Sequence, residues 1–188
     1  MNSDDDVTVA DVCAYNPYTG SWVPGPPIPS ASAAMATAEH QGCVYLCGGS
    51  RRAPFFVSAT LSMMDPRRRA WSSLPAMPTA TSTAGAAVVG SRMYVPGGAS
   101  SSLQCYDMAA GRWDTSCAPM SVARYSHGVA ALHGEVWALG GGGRNGVCST
   151  NLRGGVQPMA QQLAAWCGTA TQLGEWCLHG GPVLRGVL

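Results

Sequence analysis

The sequence predicts an all-β fold built from repeated four-stranded blades, and three observations carry that prediction. A double glycine recurs after an apolar alternation at Gly48-Gly49, Gly97-Gly98, Gly140-Gly141 and Gly180-Gly181, at spacings of 49, 43 and 40 residues. Trp22, Trp71 and Trp113 recur at 49 and 42 residues, the same period read from independent positions. Seven residues before each of these tryptophans stands Tyr15, Met64 or Tyr106, followed by Asn16-Pro17, Asp65-Pro66 or Asp107-Met108. Self-similarity at a fixed period of this size marks a repeat architecture. Four short strands per period is the arithmetic of a β-propeller blade.

Within one period the strands follow in a fixed order. A run of small residues such as His127-Gly-Val-Ala-Ala-Leu132 suits a crowded inner strand. A tight turn leads to an apolar strand, as in Gly42-Cys-Val-Tyr-Leu-Cys47 or Gly134-Glu-Val-Trp-Ala-Leu139, which ends at the double glycine. A variable loop follows, then a strand closing on Tyr-Asn or its relatives, whose Asn or Asp starts a turn by bonding the backbone ahead of it. The fourth strand bears the tryptophan, and aromatic side chains fill pleated surfaces well. The same order assigns residues 1–6 to an acidic flexible N-terminus and residues 7–181 to blades. These comprise a half-blade at 7–27, blades at about 28–75, 76–118 and 119–158, a half-blade at 159–181, and a tail at 182–188. Two closures fit: a fragment of a larger ring, or a four-bladed ring completed by the two halves.

Composition narrows the function classes. Hydrophobic residues make up 46% of the 188-residue chain and charged residues 11%, the reverse of a disordered composition. A net charge of +1 leaves no general footprint for nucleic acid. All eleven basic residues are arginine, so no lysine side chain is present for ubiquitin or acetyl attachment. The apolar runs, such as 84–89, are too short to cross a bilayer, and the start Met1-Asn2-Ser3-Asp4-Asp5-Asp6 is the opposite of a secretory signal. A cytoplasmic location is expected. The eight cysteines contain no C-x-x-C pair, and they are expected to be buried thiols rather than disulfides or zinc ligands. Neither a metal nor a cofactor is expected.

The double glycine after the second strand, the Tyr-Asp-Pro-like end of the third and the Trp of the fourth resemble the kelch repeat. The likeness runs over about residues 7–181 and fades after Gly141, where Val147-Cys-Ser-Thr-Asn-Leu152 lacks the later markers. It implies a kelch β-propeller whose loops after the double glycine share one face with the connections between blades, where substrate peptides of the family bind. Mapped onto this chain, that face carries Arg51 and Arg52, Arg144 and Asn145, and the trio Arg124, Ser126 and His127. Arginine pairs acidic groups bidentately, so an acidic or phosphorylated peptide is the expected ligand. The equivalents of Arg124 are Ser32, Thr81 and Ala164, so no basic ring repeats around the propeller.

The resemblance implies a non-enzymatic protein-interaction scaffold, with substrate recognition for a ubiquitin-ligase adaptor and its cullin as one form. An actin-binding structural protein is the alternative. Kelch-like propellers include copper oxidases and sugar-modifying enzymes. Here His40, His127, His133 and His179 occupy different blade positions with no shared layer, and no paired carboxylates or nucleophile–base spacing stands out. The double glycines, the tryptophans, Tyr15 and Tyr106 are read as structural. The basic turn Arg67-Arg68-Arg69 is read as solvated.

Overall fold

The computed structural model describes residues 9–51, 56–143 and 146–147, and every regular element among them is a β-strand. A leading hairpin pairs β1 (Cys13–Asn16) with β2 (Ser21–Pro24). The first full sheet runs β3 (Ala36–His40), β4 (Cys43–Cys47), β7 (Leu61–Asp65) and β8 (Ala70–Leu74), all antiparallel. Between β4 and β7 a small arm pairs β5 (Ser50–Arg51) with β6 (Phe56–Val57). The second full sheet repeats the order with β9 (Ala87–Val89), β10 (Arg92–Pro96), β11 (Leu103–Asp107) and β12 (Arg112–Asp114). A trailing hairpin pairs β13 (Gly128–Leu132) with β14 (Glu135–Leu139). The short pair β15 (Gly142–Gly143) and β16 (Gly146–Val147) follows it. The two full sheets are propeller blades. The first strand of each lies innermost, because β9 neighbours both β3 and the trailing hairpin.

Sequence dictates these strands through alternation. In β4, Tyr45 and Cys47 are buried on one face while Leu46 between them is only half-buried. The buried face meets Met93, Val95 and Tyr106 of the second sheet, with Leu61 and Met77 closing the same cluster. Leu61, Met93 and Val95 are at most 1% exposed, so the core of the described residues is the interface between the two full blades. Burying side chains of this size removes about 1.5–3 kcal/mol each from water exposure. Cys47 belongs to this core, while Cys105 is buried in β11 outside it: burial pushes Cys47 up to about 12 and Cys105 to about 11, so neither is a nucleophile near neutral pH. Cys13 departs from the expected burial and is exposed, no sheet among the described residues lying over the leading hairpin.

The turn signals act as the sequence implies. Asn16, Asp65 and Asp107 each accept backbone N–H bonds from residues two or three ahead, at 2.8–3.4 Å. Four residues past each stands a left-handed residue: Gly20, Arg69 and Gly111. Arg69 takes the slot glycine fills in the other two repeats. The whole basic turn is exposed as expected, and the Arg69 guanidinium also donates to the Pro24 carbonyl of the preceding hairpin at 3.1 Å.

Two departures from expectation concern the ends of the described region. Within the expected half-blade at 7–27 the first strand begins only at Cys13. Ala10 and Val12 instead offer their carbonyls to the N–H groups of Ile28 and Gly25 at 2.8 and 2.7 Å. In β13 only Val129 is partly covered, the rest of the small-residue run being exposed. The expected half-blade at 159–181, including Gly180 and Gly181, lies outside the described residues.

Candidate functional site

The loop end of the blades is assembled by the double glycines. Each lead-in segment (residues 32–34, 81–83 and 124–126) runs just before a blade's first strand. Where both neighbours are described, it is wedged between two glycine pairs. A Cβ on Gly48 would strike Thr81, and one on Gly97 would strike Arg124 and His127, so the first glycine makes room for the next blade's lead-in. A Cβ on Gly49, Gly98 or Gly141 would strike Ser32, Thr81 or Tyr125 of its own blade. All of these glycines also hold positive φ, which other residues adopt only at a cost. Gly140 has the same left-handed backbone, and no atom of the described residues stands where its Cβ would go.

The lead-in segments are joined to each other by a belt of backbone bonds. The Thr83 N–H donates to the Ala34 carbonyl at 2.9 Å, and the Ser126 N–H donates to the Thr83 carbonyl at 2.7 Å. Ala34, Thr83 and Ser126 occupy one repeat position, and all three have left-handed φ of 51–57° without being glycine. Such residues cost about 1–2 kcal/mol each, and strain of this kind persists where the surroundings over-determine it.

The sequence candidates fall into different roles on this frame. The guanidinium of Arg124 donates to the Gly140 carbonyl at 2.8 Å, as the Thr81 hydroxyl does more weakly to Gly97 at 3.5 Å. This lead-in position therefore braces its own double glycine. His127 is 7% exposed, packed between Gly97 and Gly141, and neither ring nitrogen has a partner of hydrogen-bond geometry among the described residues. Burial, then the Arg124 charge, hold its imidazole below the ordinary histidine range, against a weaker opposing pull from the Pro96 carbonyl. Ser126 is exposed on the belt. Arg51 is exposed on the β5–β6 arm, its guanidinium 5.8 Å from the centre of the Phe56 ring. Arg52, Arg144 and Asn145 lie outside the described residues.

The structure adds residues that the repeat pattern did not single out. Tyr125 lays its ring over Gly142 and remains 42% exposed beside Ser126. Phe56 is 52% exposed beside Arg51. A pocket of about 250 Å³ opens beside this arm, floored by Ile28, Leu46 and Leu74, with Ser30, Ser32, Ser58 and Thr60 among its lining and Arg51 and Phe56 at one side. Its origin lies in one residue. In the second blade Gln104 reaches across to clamp the preceding linker, its amide bonding the Thr79 N–H at 2.9 Å and the Thr79 carbonyl at 3.1 Å. The repeat-equivalent of Gln104 is Ser62, opposite Leu46 in register, and its short side chain leaves the corresponding space open. No single-sequence signal marks Gln104 or Ser62, because the clamp is visible only when strand and linker are placed together.

The comparisons agree with the repeat. A family model described as Kelch motif matches residues 31–78, from the first lead-in segment to the linker beyond β8. The chain is 29% identical over 143 residues to Kelch-like protein 40 of Mus musculus, covering 73% of this chain and 23% of that one. It is 31% identical over 113 residues to Kelch-like ECH-associated protein 1A of Danio rerio, covering 54% and 18%. To human Kelch repeat and BTB domain-containing protein 13 it is 34% identical over 93 residues, covering 45% and 20%. The matched part thus spans about a quarter or less of these curated relatives. The solved structure of YjhT superposes with a TM-score of 0.65 at 16% identity, over 73% of this chain and 47% of that one, a likeness of fold alone. Residues 31–78 thus carry a Kelch motif, and the double glycines that seat successive blades and the tryptophans that tie them repeat its pattern on either side.

Proposed function

We propose that the chain is a protein-binding module that engages an acidic peptide segment on its loop end, and that it is not an enzyme. The observation that carries this reading is the pocket beside Arg51. An apolar floor, a rim of hydroxyls and the Arg51 cation beside Phe56 suit an apolar side chain flanked by a carboxylate or phosphate. Tyr125 and Ser126 extend the same loop end, with an exposed aromatic of the kind enriched at interfaces. The relatives' names, which include a BTB domain-containing protein and one associated with another protein, support a scaffold role. Recruitment of the bound protein to a ubiquitin ligase is the finer form that the resemblance to BTB-kelch proteins implies.

The test is affinity capture from cell extract with the wild-type chain, Arg51→Ala and Tyr125→Ser. Arg124→Ala is a poor probe, since it also removes the brace on Gly140. A partner held by the wild type and lost with Arg51→Ala supports the reading. The same partners retained by both variants would remove the loop end from consideration.

A further inference from the structure

The basic turn of the first blade leads into a serine. Arg67 and Arg69 stand five and three residues before Ser72, and no other serine or threonine of the chain has arginine at both places. The turn joins β7 to β8, at the end of the blade opposite its double glycine. β8 is the last strand of its sheet, paired with β7 on one side and with no strand of the described residues on the other. Arg67, Arg68, Arg69 and Ser72 are all exposed.

The second blade shows what this place does with a negative charge. Its equivalent of Ser72 is Asp114, since each directly follows the tryptophan of its repeat. Asp114 accepts from the N–H and hydroxyl of Ser116 at 2.9 and 2.7 Å and stands 3.7 Å from the Arg92 guanidinium. In the first blade Cys43 takes the position of Arg92, and the cation comes from the turn instead. Ser72 faces Met63 and Ala70 faces Asp65, so Ser72 and Asp65 are diagonal neighbours on one side of the sheet. Arg68 is held 3.5 Å from Asp65. Such diagonals span roughly 7–8 Å, within reach of a long side chain. An anion on Ser72 therefore meets Arg68 as Asp114 meets Arg92.

We propose that Ser72 is the phosphate acceptor of an arginine-directed serine kinase. Arginines at this spacing pair with carboxylates in the substrate groove of such a kinase, through charge-assisted bidentate contacts. An exposed edge strand offers the acceptor in extended form, the form in which a peptide segment is received by another surface. Arg69 exchanges its exposed bond to the Pro24 carbonyl for one of these carboxylates. In the transfer the Ser72 Oγ attacks the γ-phosphorus of ATP, its proton passes to the kinase's catalytic carboxylate, and the bond to the leaving oxygen of ADP breaks. The product places about 1.5 to 2 negative charges beside the turn. Arg68 is then shared between Asp65 and the phosphate, and the turn loses most of its positive charge.

The experiment is phosphorylation of the folded full chain by a purified arginine-directed serine kinase with MgATP, with a synthetic peptide of residues 65–76 beside it and sites mapped by mass spectrometry. The proposal expects phosphate on Ser72 at a rate within about tenfold of the peptide's, since the exposed strand needs no global opening. Arg67→Ala keeps the bonds of the turn, because only its backbone N–H reaches Asp65, and should lower kcat/KM roughly tenfold or more. A peptide left unmodified overturns the proposal, because the arginines are then not read. Labelling of the chain about a thousandfold or more slower than the peptide overturns it as well, since the serine is then reached only through unfolding. So does phosphate placed on another residue, undiminished in Ser72→Ala, or a rate indifferent to Arg67→Ala.

Discussion

Tyr15 with Trp22 and Tyr106 with Trp113 are the same pair in two settings. Their ring centroids lie 5.3 and 5.1 Å apart and their planes meet at 52° and 51°. Yet Tyr15 is 52% exposed and Tyr106 2%. The hairpin register sets the geometry, since Tyr15 faces Trp22 and Tyr106 faces Trp113 across the strands. The neighbouring blade sets the burial. An aromatic pair in a propeller blade is therefore a local structure whose contribution to stability is decided from outside the hairpin.

The sharpest way to break that comparison is to delete each tyrosine. Tyr106→Ala should cost about 3 kcal/mol of unfolding free energy in denaturant melts, because it empties a filled interface. Tyr15→Ala should stay within about 0.5 kcal/mol. Equal costs would mean that the leading hairpin is covered in solution. The linker clamp comes next. Gln104→Ala strips both partners from Thr79 and should cost about 2 kcal/mol, whereas Ser62→Ala in the other blade should be nearly neutral. Trp113→Phe removes the bond to Pro75 and should cost about 1 kcal/mol, against a smaller loss for Trp22→Phe, whose indole has no acceptor among the described residues.

Two smaller effects probe the loop end. Thr83 is β-branched at a left-handed φ of 57°, an unfavourable combination. Thr83→Gly relieves that strain and adds unfolded-chain entropy, leaving a net gain of about 0.5 kcal/mol in the same melts. A loss would mean that the Thr83 side chain contributes more than its backbone costs. The smallest effect is with pH. His127 is held below its ordinary range in the folded chain, so the unfolded chain takes up the proton first as pH falls. Wild-type stability should decline as pH drops through the ordinary histidine range, and the decline should flatten in His127→Leu. Parallel pH profiles for the two proteins would place the titrating group elsewhere.

The repeat was legible because each marker answers a local demand. Asn16, Asp65 and Asp107 cap turns from their own side chains, and the double glycines accept positive φ where lead-in segments approach. These requirements recur with the period and so print themselves on the sequence. The candidate site was legible only in part. Arg51 is exposed, whereas Arg124 braces a glycine and His127 is packed between blades. Their motif, Arg124-Tyr-Ser-His127, suggested a ligand face because sequence records residue type and not the direction of a side chain. Tyr125 within that motif was passed over, although it is the member left exposed with a large apolar surface.

By itself, then, the sequence determined the strands, their order in a blade and the turns between them, since alternation, glycine conformation and side-chain capping act within a few residues. Only the tertiary structure decided which of two identical aromatic pairs is buried, which arginine remains available, and where the pocket opens. Those outcomes depend on what packs across an interface between blades. Ser62 and Gln104 sit in the same strand position, and the choice between an open pocket and a closed clamp follows from how far each reaches toward a linker some 25 to 30 residues away in the chain.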